Sequence, residues 1–119
     1  MIKGQCHCGN IKLQLPQLTE NATTCNCSIC ARYGAIWGYF TRTEVKVAVG
    51  ESGFSAYSHG DKMINFNHCK KCGCLTHYTS TDPSADSRLA VNYRMFPSTV
   101  IQQINIRHFD GADSWQYLD

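Results

Sequence analysis

The sequence CKKCGC at residues 69–74 decides the fold, because it places two cysteines on one tight turn. In a C-x-x-C knuckle both sulfur atoms can reach one metal ion at about 2.3 Å, and Gly73 can take the positive φ that such a turn often needs. Two thiolates leave a tetrahedral site half complete. The pair Cys6 and Cys8, followed by Gly9, supplies the other two. We therefore predict a structural zinc with four ligands: Cys6, Cys8, Cys69 and Cys72.

This zinc would tie the beginning of the chain to its middle. Closing a loop of about 60 residues costs about 3.6 kcal/mol of chain entropy. Binding to a structural zinc site contributes about 10 to 16 kcal/mol, so the metal offsets the closure. Disulfide pairing or plain buried thiols are the alternatives for these four cysteines, and the paired spacing favours zinc.

A second cluster is the sequence CNCSIC at residues 25–30. Three thiolates from one short segment can hold a single zinc and leave its fourth position open, which is typical of catalytic sites. We predict such a zinc on Cys25, Cys27 and Cys30, and we expect it to be the more labile of the two. An external thiol in the open position would lose its proton at neutral pH. The alternatives are a second structural zinc closed by Cys74 or a histidine, and a C-x-x-C redox pair.

Size and composition limit the class of protein. With 119 residues the chain fits one domain, 1–119. Eight cysteines without an apolar signal sequence near the N-terminus indicate reduced or metallated thiols, and we expect a cytoplasmic protein. The net charge is +2 and the basic residues are scattered, so we expect neither a nucleic-acid nor a membrane partner. We expect Cys74, the thiol outside both clusters, to be a buried apolar side chain.

Short alternating segments between glycine, asparagine and aspartate indicate many short strands. Short helices are predicted around residues 27–33, ended by Gly34, and after Pro97. The sequence thus predicts an all-β domain of small twisted sheets, whose modest core a bound structural metal would stabilise. Residues 109–115 are expected to pack the C-terminus back on this domain. The predicted strands span residues 11–15, 35–41, 45–49, 54–58, 63–67, 75–80, 89–93 and 104–109.

The order C-x-C-G, then C-x-C-x-x-C, then C-x-x-C-G resembles the glutathione-dependent formaldehyde-activating enzyme family, also called Gfa-like, to which centromere protein V is related. The resemblance runs from Gly4 to about Tyr93, and the tail at residues 107–115 resembles a short subgroup of the family. It implies a β-tent fold of small antiparallel sheets with two zinc sites. The structural zinc falls on Cys6, Cys8, Cys69 and Cys72, and the catalytic zinc on Cys25, Cys27 and Cys30.

The reaction of that family condenses glutathione with formaldehyde to S-hydroxymethylglutathione, and the reverse direction is a carbon–sulfur lyase reaction. The resemblance therefore predicts a zinc-dependent lyase acting on an adduct of glutathione or another small thiol. Two other functions stay open: a zinc-stabilised binding module without catalysis, and a redox switch that uses Cys27 and Cys30. An open fourth position at the central zinc would favour the enzyme.

Three residues outside the cysteine clusters are candidates to contact the substrate. Arg32 and Arg94 could pair with the carboxylates of a peptide-like thiol, because guanidinium offers a planar fork of two donors. His77 follows the second knuckle closely and could line the reactive zinc or act as an acid or base. For each of the three, an ordinary structural or solvated role is the alternative. The sequence does not predict the oligomeric state.

Overall fold

The computed structural model describes residues 1–60 and 62–119, and in this part of the chain the secondary structure is mostly β. The prediction of an all-β chain with very short helices is confirmed. The helices are α1 (Ser28–Tyr33) and α2 (Ser98–Ile101), with a 3₁₀ turn at Tyr93–Met95. The strands are β1 (Ile2–Gln5), β2 (Ile11–Leu15), β3 (Asn21–Cys25), β4 (Trp37–Thr41), β5 (Lys46–Val49), β6 (Phe54–Ser58), β7 (Ile64–Cys69), β8 (Leu75–Ser80), β9 (Arg88–Asn92) and β10 (Asn105–Phe109).

Two strands were not predicted, β1 and β3. In β1 the central Gly4 weakens the strand pattern, yet packing requires a glycine there, because a Cβ would lie 2.7 Å from the Phe96 ring. In β3 the neighbouring residues Ala22 and Thr23 are both buried, so this strand shows no alternation to recognise. The eight predicted strands match observed ones with ends shifted by two residues or fewer.

The strands form two sheets. The small sheet has the order β1-β2-β5, and the large sheet has the order β10-β3-β4-β9-β8-β7-β6. Neighbouring strands are antiparallel except for β10 and β3, which run parallel from the pair Asn105 and Asn21 to the pair Phe109 and Cys25. This parallel pair departs from the expected antiparallel sheets. It brings the C-terminal strand beside the segment that leads into the second cysteine cluster.

The large sheet forms the middle layer of the molecule. Its first face packs on the small sheet, where Ile11, Leu13 and Leu15 of β2 point inward and are 0–1% exposed. Burial of each such side chain contributes roughly 1.5–3 kcal/mol. Its second face carries Trp37 and Phe66, against which side chains of α1 pack. The large sheet and α1 therefore fix the position of the second cluster.

The helices are short for identifiable reasons. Helix α1 has six residues and ends at Gly34, whose φ of 64° is left-handed, as the sequence predicted. Helix α2 begins directly after Pro97. Among the residues that the structure describes, no helix is long and apolar enough to cross a membrane.

Candidate functional site

Four cysteines from two distant turns meet at the edge of the small sheet. Cys6 and Cys8 lie in the turn between β1 and β2, Cys69 ends β7, and Cys72 lies in the turn that follows. All four Sγ atoms lie within 4.8 Å of one another. The separations of Cys8 Sγ from Cys6 Sγ and Cys69 Sγ are 3.7 and 3.6 Å. A tetrahedral zinc with Zn–S bonds of about 2.3 Å requires sulfur separations of about 3.8 Å, so these four residues fit the ion.

Hydrogen-bond donors surround this cluster. The Ile11 backbone N–H donates to Cys6 Sγ at 3.2 Å, and the Lys71 N–H donates to Cys69 Sγ at 3.3 Å. Asn10 Nδ2 donates to Cys69 Sγ at 3.4 Å. Donors of this kind stabilise a thiolate more than a thiol, because the charged sulfur is the stronger acceptor.

The pKa values of these thiols also fit a cation in the cluster. Burial raises the pKa of Cys72, but hydrogen bonds from the backbone N–H groups of Cys74 and Cys8 and from the neighbouring thiols together lower it to about 5. For Cys8 the Asn10 N–H lowers the pKa, whereas burial and the neighbouring sulfurs raise it to about 11. Four thiolates this close repel one another, so they can ionise together only around a positive ion.

The second cluster is built from one continuous segment. Cys25 ends β3, Cys27 caps the N-terminus of α1, and Cys30 lies in the first turn of that helix. Cys27 Sγ accepts the Cys30 backbone N–H at 3.4 Å, as a serine or aspartate cap would. The helix cap thus holds Cys27 Sγ close to Cys30. The three Sγ atoms lie within 4.8 Å of one another.

This cluster offers three ligand atoms, one from each cysteine. Within residues 1–60 and 62–119, no further cysteine, histidine or carboxylate joins the group. All three cysteines are partly exposed, whereas Cys6 and Cys69 of the first cluster are buried. Three thiolates with solvent access fit a zinc that keeps one position open. Both clusters can therefore hold a metal ion.

Trp37 lies next to the second cluster and offers an unused donor. Its Nε1 is buried and makes no hydrogen bond of normal geometry. Among the described residues, it is the one buried side-chain N or O atom for which this is true. Burial raises the pKa of Cys30 to about 12, whereas the Trp37 indole favours the thiolate and lowers the pKa in part. A negative sulfur at Cys30, as in a metal complex, would therefore give this N–H an acceptor.

A cavity of about 320 Å³ opens beside the second cluster. Its wall includes Cys25, Cys30, Arg94 and His108. Its volume falls in the range of small-molecule sites, roughly 300–1,000 Å³. No residue of the first cluster lines this wall. The structure therefore places Arg94, one of the two predicted arginines, beside the cluster that was predicted to be reactive.

Arg94 and His108 of the wall are both held in place by hydrogen bonds. Arg94 Nε donates to the Gly34 carbonyl at 2.8 Å, which leaves the other guanidinium nitrogens for a bound anion. His108 Nδ1 lies 2.7 Å from Thr24 Oγ1, and Nε2 remains for a bound molecule. Sequence reasoning missed His108. His108 reaches the cavity because β10 pairs in parallel with β3, which places His108 opposite Thr24. This pairing of two distant segments leaves no signal in the sequence.

The other two predicted substrate residues lie away from the cavity wall. Arg32 is exposed and donates through Nη1 to the Ser28 carbonyl at 2.8 Å, within its own helix. His77 is buried in β8, 2.7 Å from Thr76 Oγ1, and burial lowers its pKa to about 4. Because side chains alternate along a strand, His77 faces the side of the large sheet opposite Tyr78, away from α1.

Cys74 takes part in neither cluster. It is partly buried and packs against the core between the two sheets. Its backbone carbonyl accepts the Cys69 N–H at 3.1 Å, which closes the knuckle turn. The sequence predicts a buried apolar side chain here, and the structure shows a partly buried one that packs against the core.

Comparison with known proteins adds two findings. The family model described as glutathione-dependent formaldehyde-activating enzyme matches residues 1–105, which include both cysteine clusters. A crystal structure of a Rhodobacter sphaeroides protein is similar, with a TM-score of 0.69 and 25% sequence identity over 88% of this chain and 99% of that chain. No curated protein matches the sequence.

Proposed function

The chain belongs to the family of glutathione-dependent formaldehyde-activating enzymes, and from this membership we propose that it is a zinc-dependent carbon–sulfur lyase. Its substrate would be an adduct of glutathione or another small thiol. The observation that carries this proposal is the cluster of Cys25, Cys27 and Cys30, which has no fourth protein ligand among the described residues and opens on a cavity. We propose the cytoplasm as its compartment, because thiols stay reduced there.

The reaction balances without an oxidant or a second product. The thiol sulfur attacks the carbonyl carbon of the aldehyde, the thiol gives up its proton, and the carbonyl oxygen gains one. Zinc, when bound by the three cysteines, would supply Lewis acidity that lowers the pKa of a thiol arriving at its open position. Cys25 and Cys30 line the cavity, so a thiol bound in the cavity would lie within reach of the metal.

Two residues of the cavity wall would hold the substrate. Arg94 presents guanidinium nitrogens that its bond to Gly34 does not use, and these suit a carboxylate of a peptide-like thiol. His108 Nε2 can hydrogen-bond the oxygen of the adduct, while Thr24 keeps the ring oriented through Nδ1. Neither role requires Arg32 or His77, which lie outside the wall.

Calorimetry with glutathione tests this proposal. Metal-loaded protein should bind one glutathione per chain, and S-methylglutathione should bind at least tenfold more weakly because its blocked sulfur cannot ionise. The loaded protein should then turn over the formaldehyde adduct of glutathione. Absence of glutathione binding by fully metallated protein would defeat the substrate assignment while leaving the fold unaffected.

Two arginine variants form a matched pair for the same assay. Arg94→Met should raise KM for the adduct about tenfold or more with a smaller effect on kcat, because a charge-assisted hydrogen bond is worth about 1.5–3 kcal/mol. Arg32→Met removes the same charge from the exposed face of α1 and should leave both constants near the wild-type values. Equal effects of the two variants would contradict the role of Arg94.

A further inference from the structure

We propose that the turn at residues 110–114 completes the three-cysteine site, with Asp110 and Gly111 as positioning residues that hold Asn26 and Cys25 for metal binding. The proposal rests on the metal-binding part of the proposed function and goes beyond it, because it assigns a task to the C-terminal segment. That segment begins after residue 105, where the family match ends.

Asn26 is the residue between the first two ligands, and the C-terminal segment holds it at three points. Its backbone N–H donates to the Phe109 carbonyl at 3.3 Å. Its side-chain Nδ2 donates to Asp110 Oδ1 at 3.0 Å, and its Oδ1 accepts the Ala112 N–H at 3.0 Å. Because both backbone and side chain are engaged, Asn26 cannot rotate independently of the turn. The spacing of Cys25 and Cys27 is thereby fixed from outside their own segment.

Gly111 lies directly against the first ligand. A Cβ built at this position would lie 2.6 Å from Cys25 Sγ and 3.3 Å from Cys27 Cβ, so a side chain would displace both cysteines. A glycine is thus required here by the close approach of the backbone to the Cys25 sulfur.

The turn is held together by hydrogen bonds of its own. Asp110 Oδ2 accepts the Ser114 backbone N–H at 3.1 Å and the Ser114 hydroxyl at 2.8 Å. The Trp115 N–H donates to the Asp110 carbonyl at 2.7 Å, and the Trp115 ring lies edge-on to Phe109 with centroids 5.1 Å apart. Asp110 therefore links the fold of the turn to Asn26. A ligand site supported in this way retains its geometry, whereas one on a free loop would not.

The test is titration of the metal-free chain with cobalt(II), whose absorption reports thiolate coordination, followed by metal analysis. The wild type should take up two ions. Gly111→Ala and Asp110→Asn should bind the second ion about 10- to 100-fold more weakly, the usual loss when groups behind metal ligands are changed, with the first ion unaffected. Circular dichroism should show that both variants stay folded.

Two control variants separate positioning from general damage. Gly60→Ala places a methyl group in open space at a φ of 66°, so it strains a backbone far from both clusters. Asp113→Asn removes a charge from the same turn without touching Asn26. Both should bind the second ion like the wild type.

The outcomes are distinct. Normal binding of the second ion by Asp110→Asn overturns the proposal, and this isosteric variant decides the matter even if Gly111→Ala fails to fold. Weakening of the second ion by the control variants to the same degree also overturns it. If the wild-type chain takes up a single ion, the proposed function is contradicted as well. This result distinguishes failure of the proposed function from failure of the positioning role alone.

Discussion

Replacing Cys6 by serine should leave little soluble, folded protein. Cys6 is 1% exposed and joins the turn after β1 to the knuckle after β7. Its replacement removes one of the four thiolates, and a neutral hydroxyl does not replace a thiolate as a zinc ligand. Structural zinc contributes about 10 to 16 kcal/mol, whereas a domain is stable by about 5 to 15 kcal/mol in total. Losing even half of the zinc contribution therefore unfolds most molecules.

Soluble yield and far-ultraviolet circular dichroism measure this effect. Cys74→Ser is the matched control, because Cys74 is a half-buried thiol outside the cluster, and this variant should fold with both metals bound. A Cys6→Ser protein with a native spectrum and wild-type melting temperature would contradict a structural role for the four-cysteine cluster.

Cys27→Ser should give the opposite result, a folded chain without the second metal. Serine is a good N-cap, so its hydroxyl can accept the Cys30 N–H that Cys27 Sγ accepts in the wild type, and α1 should persist. Two remaining thiolates hold zinc poorly. We expect about one zinc per chain, loss of glutathione binding, and turnover reduced to the background rate.

Metal analysis, circular dichroism and calorimetry on one preparation check this result. Ser28→Ala, the neighbouring position on α1, should keep both metals and full turnover. If Cys27→Ser lost both metals or unfolded, the division of the seven cysteines into a structural and an open site would be wrong.

The sequence predicted the two cysteine clusters because their spacing is local. A C-x-x-C knuckle or a C-x-C pair constrains its own sulfurs, and Gly73 with a φ of 77° shows the turn expected of the second knuckle. The assignment of Cys6, Cys8, Cys69 and Cys72 to one site followed from the fact that a structural zinc takes four ligands. Their sulfur atoms do meet.

The wall of the cavity was harder to predict because distant segments build it. The position of Arg94 at the end of a predicted strand made it a candidate. Its hydrogen bond to the Gly34 carbonyl could not be predicted, because it joins two segments that only the fold brings together. His108 reaches the site only through the parallel pairing of β10 with β3, and β3 itself has no alternating pattern. His77 follows a knuckle in sequence, yet the pleat of β8 turns it to the other side of the sheet.

The role of the C-terminal segment also depends on tertiary structure. The sequence predicted that residues 109–115 pack back on the domain, and Phe109 does contact both Trp115 and Tyr117. Nothing local to Gly111 indicates that a sulfur lies against it. Only the folded chain brings Cys25 to that position.

Native mass spectrometry of the purified wild-type chain tests the central claim most directly. The account predicts two zinc ions per chain and, after denaturation with a chelator, eight cysteines that all react with an alkylating agent. A chain without metal whose cysteines resist alkylation until a reductant is added would contradict it.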